Sequence, residues 1–387
     1  MPTDLTPQEI LASLVAIPTV SRDSNIPIID RIEAYLAAYG VESWRVPSDD
    51  GCKASLYAVI GPRVAGGVVL SGHTDVVPVE GQDWATDPFI LTERAGRLYG
   101  RGAVDMKGFL ALMLAVVPHA LRAGLRRPLI LAFSYDEEIG CEGCLGMIEA
   151  MARTLPPPAA VIVGEPTGLA VANGHKGSIA FNIRVKGHSV HSSMLHTGVS
   201  AVMEAARLVD WANRHNEAAA TGVPDARDAA FEPPWTTAHV GVIAGGTANN
   251  ITAAECTLTL DFRVVPRESL SLWHDRVLTE VARIRAGMQA IIAETDITVT
   301  PMFRVPPLAP EVDGAAEALA KRLARQNGTR VISFGTEAGQ FQKIGWSTVV
   351  CGPGDISRAH KADEYIEIAE LAAGMAFVER LADDLCG

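Results

Sequence analysis

The sequence predicts an α/β protein of two domains, in which an α+β domain is inserted into a larger sheet domain. Two observations predict this. Short apolar runs alternate with helical patterns in the outer parts of the chain, whereas a middle segment alternates apolar and polar residues like half-exposed strands. The predicted bounds are 1–176 and 304–387 for the sheet domain and 177–303 for the insertion. A chain of 387 residues that is 48% hydrophobic can bury both cores.

The strands of the sheet domain are predicted from apolar, β-branched runs of the length that buried strands have. The four runs are Val68–Leu70, Leu129–Phe133, Val161–Val163 and Thr348–Cys351. Apolar residues at helical spacing predict helices over Gly108–Arg122 and Ala315–Arg325. Strands that alternate with helices in this way are typical of an α/β sheet.

The inserted domain is predicted from a different pattern. Ile179–Lys186 and Thr257–Val265 alternate like strands with one exposed face, and helices are expected near 200–213 and 268–289. The stretch Asn216–Pro234 is polar and rich in Ala, Gly and Pro, so we expect a loop there.

Composition excludes several classes of partner. The formal charge of -12 and the pI near 5.3 leave no basic face for nucleic acid. We expect no secretory signal, because Asp4 and Glu9 stand where basic residues would precede an apolar segment. The most apolar stretch, Phe109–Val117, is shorter than the roughly 20 residues of a membrane span. We therefore expect a cytoplasmic protein without a membrane partner.

The six cysteines form no recognisable disulfide framework. Cys141 and Cys144 form a single C-x-x-C, which without a second such pair is weak support for zinc or redox chemistry. We interpret both as structural residues.

Acidic residues and histidines follow the four apolar runs directly, at the edge where α/β sheets bind ligands. The first run leads into His73-Thr74-Asp75, the second into Asp136-Glu137-Glu138, the third into Glu165, and the fourth towards His360. Alone, each has an ordinary explanation as a turn or a solvated surface residue. Together they indicate one shared site.

Asp105 lies in a glycine-flanked turn before a predicted helix and could bridge two cations. Two histidines and three carboxylates, without cysteine, match the ligands of zinc or a neighbouring divalent metal. The carboxylates of Asp105, Glu138 and Glu165 would leave one positive charge on two zinc ions, which a bridging hydroxide would neutralise. Such a centre suits amide hydrolysis.

Four motifs occur together in the order Gly72-His73-Thr74-Asp75, Gly102-Ala103-Val104-Asp105-Met106-Lys107-Gly108, Asp136-Glu137-Glu138 and Gly164-Glu165-Pro166-Thr167. With these motifs the chain resembles the metallopeptidase family of acetylornithine deacetylase, which also contains succinyl-diaminopimelate desuccinylase, aminoacylases and glutamate carboxypeptidases. The resemblance covers nearly the whole chain. It implies a mixed-sheet, zinc-exopeptidase-like catalytic domain with an inserted α+β lid and dimerisation domain.

The resemblance implies a role for each site residue. His73 and Glu165 would bind one metal, Glu138 and His360 the other, and Asp105 would bridge them; zinc is expected, with cobalt as an alternative. Glu137 would be the general base, and Asp75 would orient His73 through its second ring nitrogen. A cis peptide bond is implied at Asp105-Met106.

The segment from Gly187 to Ser193 resembles the lid motif of the family, in which His191 would donate to the tetrahedral oxyanion. In relatives this histidine comes from the other subunit of a homodimer that forms through the lid domain. An ordinary surface histidine is the alternative. This sequence departs from the common pattern at Leu195 and Ser200.

Four further residues are expected to bind substrate. Asn250 and Arg263 lie in segments that resemble those binding the substrate α-carboxylate, although a glycine turn and an edge-strand arginine in a surface pair would look the same. Gly335 and Thr336 belong to Phe334-Gly335-Thr336-Glu337-Ala338-Gly339, which resembles the acetylornithine deacetylase branch.

The resemblance implies hydrolysis of an N-acyl amino acid such as N2-acetylornithine, in arginine biosynthesis. N-acetylcitrulline, N-succinyl-diaminopimelate and dipeptides or other peptides remain alternative substrates, because one pocket side chain changes preference by about 1–3 kcal/mol. A non-catalytic binding paralogue is disfavoured by the intact Glu137 and metal ligands. No G-x-S-x-G, Walker A or H-E-x-x-H motif is present.

Overall fold

The computed structural model describes residues 4–387, and these form two compact units. The first unit takes the described chain up to Gly174, then Leu308–Val331 and Thr336–Gly387. The second unit takes His175–Pro307 and the short segment Ile332–Gly335. The second unit covers nearly the same residues as the expected insertion at 177–303, together with a short extra segment near residue 335. The roles of lid and dimerisation domain stay predictions.

Strands are numbered in chain order over both units. They are β1 Ser43–Pro47, β2 Ala54–Ile60, β3 Val68–His73, β4 Thr92–Arg94, β5 Arg97–Tyr99, β6 Leu129–Ser134, β7 Ala160–Pro166, β8 Ala172–His175, β9 Gly177–Lys186, β10 Thr237–Gly245, β11 Glu255–Val264, β12 Asp296–Val305, β13 Arg330–Ile332, β14 Thr348–Gly352 and β15 Tyr365–Glu367.

The helices are numbered in the same way. They are α1 Pro7–Val15, α2 Ile26–Ala38, α3 Lys107–Ala115, α4 Val117–Ala123, α5 Leu145–Thr154, α6 Ala201–Thr221, α7 Leu270–Gln289, α8 Ala315–Ala324, α9 Ala338–Lys343 and α10 Ile368–Asp384. None of them, within residues 4–387, combines the length and the apolar character needed to cross a bilayer.

The first unit is built on a large mixed sheet in the order β1-β2-β6-β3-β7-β14-β8-β13. Its neighbouring strands β6, β3, β7 and β14 run parallel, whereas β1 and β2 pair antiparallel. Every residue of these four parallel strands is buried, as near-continuous apolar runs predict for a sheet covered on both faces. All four predicted strands are therefore confirmed, and their carboxyl ends meet at one edge.

The helix expected over Gly108–Arg122 is two consecutive helices, α3 and α4, which meet at Val116. Pro118 stands in the first turn of α4, where its missing N–H group costs no helical hydrogen bond. The single-helix prediction is therefore wrong at this proline. All of α3 is buried, and it packs on β3 with α1 and α10 against it.

Helix α1 is joined at its carboxyl end to the turn that carries Asp105. It begins with a capping box, in which Thr6 and Glu9 bond each other's backbone amides. The buried Lys107 ammonium donates to two carbonyl oxygens at or just after the carboxyl end of α1, those of Leu14 at 3.1 Å and Ile17 at 2.8 Å. Lys107 therefore ties the start of α3 to the end of α1.

The second unit is an antiparallel sheet in the order β10-β11-β9-β12, packed against α6 and α7 around a core that includes Trp273 and Phe262. The predicted strands and helices are confirmed. The loop expected over 216–234 is wrong in its first part, because α6 continues to Thr221. The segment Glu217-Ala218-Ala219-Ala220 consists of strong helix formers, which extend the helix.

Gly164 in β7 leaves room for the Phe109 ring of α3, since a Cβ at this glycine would meet the ring at 1.9 Å. Gly164→Ala should destabilise the protein by about 1–3 kcal/mol, because the ring cannot move within the packed core. Thermal unfolding would measure this. Gly328→Ala is the control in the same unit: its Cβ would meet no atom within 4 Å, and we expect a change within about 0.5 kcal/mol. Equal melting temperatures for the two variants would contradict the prediction.

Candidate metal centre

The carboxyl edge of the parallel strands collects the residues that the sequence predicted for one site. His73 is the last residue of β3, Glu165 lies near the end of β7, and Glu137 and Glu138 follow β6. Asp105 precedes α3, and His360 follows β14 after a short loop. All six side chains lie in the first unit.

Asp105 stands between the two histidines. Its Oδ1 lies 3.1 Å from Nε2 of His73, and its Oδ2 lies 3.2 Å from Nε2 of His360. His360 Nε2 also lies 3.0 Å from Oε2 of Glu138, and His73 Nε2 lies 3.7 Å from Oε1 of Glu165. The carboxylate of Asp105 therefore faces both histidines with different oxygens.

Two groups of side chains could each hold a metal ion, because the ligand atoms within each group lie within 4.8 Å of one another. They are His73 with Glu137 and Glu165, and His73 with Asp105 and Glu138. Neither group contains His360, although its contacts with Asp105 and Glu138 join it to the second group. Oε1 of Glu165 is buried without a hydrogen-bond donor. An unpaired buried carboxylate oxygen is costly unless a cation meets it, so this set of nitrogen and oxygen donors fits divalent metal ions.

The fold and this geometry agree with the comparisons to known proteins. The sequence profile of peptidase family M20/M25/M40 matches residues 69–384. The chain belongs to this family. It is 35% identical to acetylornithine deacetylase of Myxococcus xanthus over 97% of both chains. It is 33% identical to acetylornithine deacetylase of Shigella sonnei over 93% of this chain and 92% of the relative.

Among solved structures, the chain is similar to an M20 family metallo-carboxypeptidase of Sulfolobus solfataricus, with a TM-score of 0.78 and 20% identity over 98% of this chain and 99% of the other. That likeness concerns the fold. Membership of the M20 family makes the chain a metal-dependent hydrolase, as the sequence predicted.

Burial sets the protonation of the acidic residues at this M20 site. Desolvation raises the pKa of Glu137 to about 8, and the negative charges of Glu138 and Asp105 add to this. Desolvation and the charge of Asp105 raise the pKa of Glu138 to about 7. The pKa of Glu165 is raised well above its usual range for the same two reasons. Without metal, each of these carboxyl groups therefore holds its proton to a higher pH than an exposed glutamate does.

The histidines respond in the opposite sense. Hydrogen bonds with Asp105 and Glu138 raise the pKa of His360 to about 10. Desolvation opposes the charged form of His73, but its contacts with Asp105 and Asp75 outweigh this and raise its pKa. These contacts favour an imidazolium in the metal-free protein, so a metal ion must displace protons there.

Zinc should bind the metal-free protein more tightly as the pH rises through about 7 and on towards about 10, the pKa values of the proposed ligands Glu138 and His360. Below its pKa each of these groups holds a proton that the metal must displace, and above it the group is free to bind. Calorimetric titration with zinc in two buffers of different ionisation enthalpy measures the protons released. Binding with no proton release and the same affinity from pH 6 to about 8.5 would contradict this.

Asp75 positions both the histidine and the acidic loop. Nδ1 of His73 lies 2.9 Å from the carbonyl oxygen of Asp75 and 3.5 Å from its Oδ1, so the shorter contact uses the backbone. The carboxylate accepts the Ser21 hydroxyl at 2.7 Å and the backbone amides of Glu137 at 3.2 Å and Glu138 at 3.3 Å. It therefore holds the loop that carries the two glutamates.

The peptide bond Asp105-Met106 is cis, as the family resemblance implies. Cys141, which the sequence suggested only as a structural residue, lies beside Glu137: its Sγ is 3.2 Å from Oε1 of Glu137. All six cysteines are free thiols. No sequence signal connected Cys141 with the acid four residues earlier.

The remaining predicted site residues lie elsewhere in the chain, and their roles stay predictions. His191, Asn250, Arg263 and Gly335 belong to the second unit, and Thr336 is buried in the first. Nδ1 of His191 lies 2.8 Å from the Ser193 hydroxyl, and the carbonyl of Asn250 accepts the Ser192 amide. Arg263 pairs with Asp261 at 3.1 Å and is 45% exposed, as in the surface-pair alternative.

Sequence reasoning missed a second layer of polar residues around the ligands. Arg101 and Glu364 are almost fully buried charges, and Gln82 contacts both Arg101 and the backbone of His360. A signal existed in the sequence, since Arg101 stands between two glycines just before the Asp105 turn and Glu364 lies four residues after His360. Neither residue has a recognisable partner along the chain.

Proposed function

We propose that this chain is a two-metal amidohydrolase that removes the acetyl group from the α-nitrogen of an amino acid such as N2-acetylornithine. One observation carries the proposal: Asp105 contacts His73 and His360 through different carboxylate oxygens, with Glu137 beside them at the same strand edge. The names of the relatives from Myxococcus xanthus and Shigella sonnei support the acetylated substrate.

In the proposed site, His73 and Glu165 would hold one metal ion, Glu138 and His360 would hold the other, and Asp105 would serve both. When bound, two divalent ions polarise the acyl carbonyl and lower the pKa of water at the site. We expect zinc, with cobalt as the alternative, because the donors are imidazole nitrogens and carboxylate oxygens.

Glu137 is proposed as the general base. It takes a proton from the attacking water as the water oxygen bonds to the acyl carbon, and returns this proton to the amine nitrogen as the carbon–nitrogen bond breaks. Asp75 holds the backbone of Glu137 and so fixes the position of this carboxyl group. His191 donates a hydrogen bond to the oxyanion. The products are acetate and a free amino acid.

We propose that Asn250 and Arg263 bind the α-carboxylate of the substrate and that Gly335 and Thr336 line its site. We further propose a cytoplasmic homodimer that forms through the second unit. Strand β10 is an edge strand of that unit, and its Val242 and Ile243 are 59% and 46% exposed. An exposed apolar edge strand is typical of a surface that pairs with another chain.

The proposed function is tested by hydrolysis of N-acetylornithine, N-acetylcitrulline, N-succinyl-diaminopimelate and a panel of dipeptides, each before and after chelation and after zinc is restored. We expect N-acetylornithine to give the highest kcat/KM and every activity to depend on the metal. Preference for dipeptides would instead assign a peptidase activity, and activity that ignores chelation would refute the two-metal mechanism.

A further inference from the structure

Arg101 and Glu364 form a buried ion pair next to the metal centre, and neither residue is a proposed metal ligand. Each side chain is 1% exposed, and a guanidinium nitrogen of Arg101 lies 2.6 Å from Oε2 of Glu364. Burying two charges costs free energy unless each finds partners for its remaining hydrogen-bonding groups. Those further partners show what the pair is connected to.

Glu364 is bonded to the turn that carries Asp105. Its Oε1 accepts the backbone amides of Val104 at 3.0 Å and Asp105 at 3.1 Å, and its own carbonyl accepts the Gly100 amide at 3.0 Å. An apolar side chain could fill the same space but could not accept these amides. Glu364 therefore fixes the backbone at Asp105.

Arg101 is connected to the proposed ligand His360 by hydrogen bonds through Gln82. The second guanidinium nitrogen of Arg101 donates to Oε1 of Gln82 at 2.5 Å, and Nε2 of Gln82 donates to the carbonyl of His360 at 3.1 Å. The Trp84 indole donates to the same Gln82 oxygen at 3.1 Å. His360 has a left-handed backbone, with φ of 61°, which non-glycine residues adopt only when their surroundings hold them there.

We propose that Glu364, Arg101 and Gln82 form a positioning relay that fixes two metal ligands from distant parts of the chain, Asp105 and His360, relative to each other. Glu364 fixes the backbone that carries the Asp105 carboxylate, and Gln82 fixes the backbone of His360. This inference rests on the proposed two-metal function, because it assigns the relay the task of holding the ligands at metal-binding separation.

The relay is tested by zinc affinity, measured by competition with a chromophoric chelator, and by unfolding of the metal-free protein. Gln82→Met removes the link to His360 together with the oxygen that accepts from Arg101 and Trp84, and Gln82 is only half-buried, so the variant should fold. We expect it to bind the ion on the His360 side about 10- to 100-fold more weakly, the usual effect of losing an outer-shell partner, and to leave the other ion unchanged. Glu364→Gln should weaken both ions.

Two variants serve as matched controls. Gln342→Met removes another loop-linking glutamine of the first unit, whose amide binds Ala309 and Glu311. Asp228→Asn removes the charge of a buried carboxylate that pairs with the partly exposed Arg267 in the second unit. Both controls should keep the zinc affinity of the wild type, whatever they do to stability.

The outcomes separate the relay from the proposed function. If the wild type binds two zinc ions and Gln82→Met binds both as tightly as the wild type does, the relay is wrong and the proposed function stands. If the wild type binds no zinc and hydrolyses no N-acyl substrate, the proposed function fails and the relay with it. Should Glu364→Gln not fold, Gln82→Met alone decides.

Discussion

Glu137→Gln should lower kcat for the N-acetyl substrate by about 10²- to 10⁴-fold, the usual contribution of a general acid–base group, while zinc content stays unchanged. The glutamine amide keeps the size of the side chain but cannot carry a proton from water to the leaving amine. KM should change little, because the residue acts on the reacting water and contributes no substrate contact in the proposed mechanism.

This variant also separates two possible roles of Glu137. Glu137 lies within ligand distance of His73 and Glu165, so it could hold a metal instead of serving as a base. Zinc content and kcat measured on the same sample decide between them: lost zinc would make Glu137 a ligand and contradict its role as base. Glu142→Gln, an exposed glutamate five residues further along, is the control and should behave as the wild type.

Asp105→Ala should remove both metal ions and abolish activity. The carboxylate contacts both histidines, whereas Glu165 lies near His73 alone and Glu138 near His360. Without the Asp105 carboxylate, each of the two metal positions loses one ligand. The remaining carboxylates then repel one another with no cation between them. The loss of affinity should exceed the roughly 10- to 100-fold typical of outer-shell partners.

Glu165→Gln and Glu138→Gln provide the comparison for Asp105→Ala. Each should lose one ion and keep the other, so zinc counted by atomic emission should fall to about one per chain. If Asp105→Ala keeps one ion as firmly as these variants do, then Asp105 serves a single metal and the bridging geometry is not used.

The strands that carry the site could be predicted from the sequence because their signal is local. The runs that include Val68–Leu70 and Val161–Val163 are continuous and apolar, which is the pattern of strands covered on both faces. The acids and histidines follow these runs directly, so parallel strand ends bring them together without further information.

The parts that could not be predicted depend on contacts between distant residues. Glu364 reaches the amide of Asp105 across 259 positions of sequence, and nothing near either residue indicates the other. The contact of Cys141 with Glu137 depends on the left-handed turn at Cys141, with φ of 55°. The break between α3 and α4 was visible at Pro118, but the strong apolar pattern on both sides outweighed it.

The central claim is that two ions held by five side chains make this chain a hydrolase, and the most direct test is to count zinc and activity together while zinc is returned to the chelated protein. We predict that activity is absent without metal and is fully restored as the content reaches two ions per chain. Full activity without zinc, or activity restored by zinc that does not bind at these side chains, would contradict this claim.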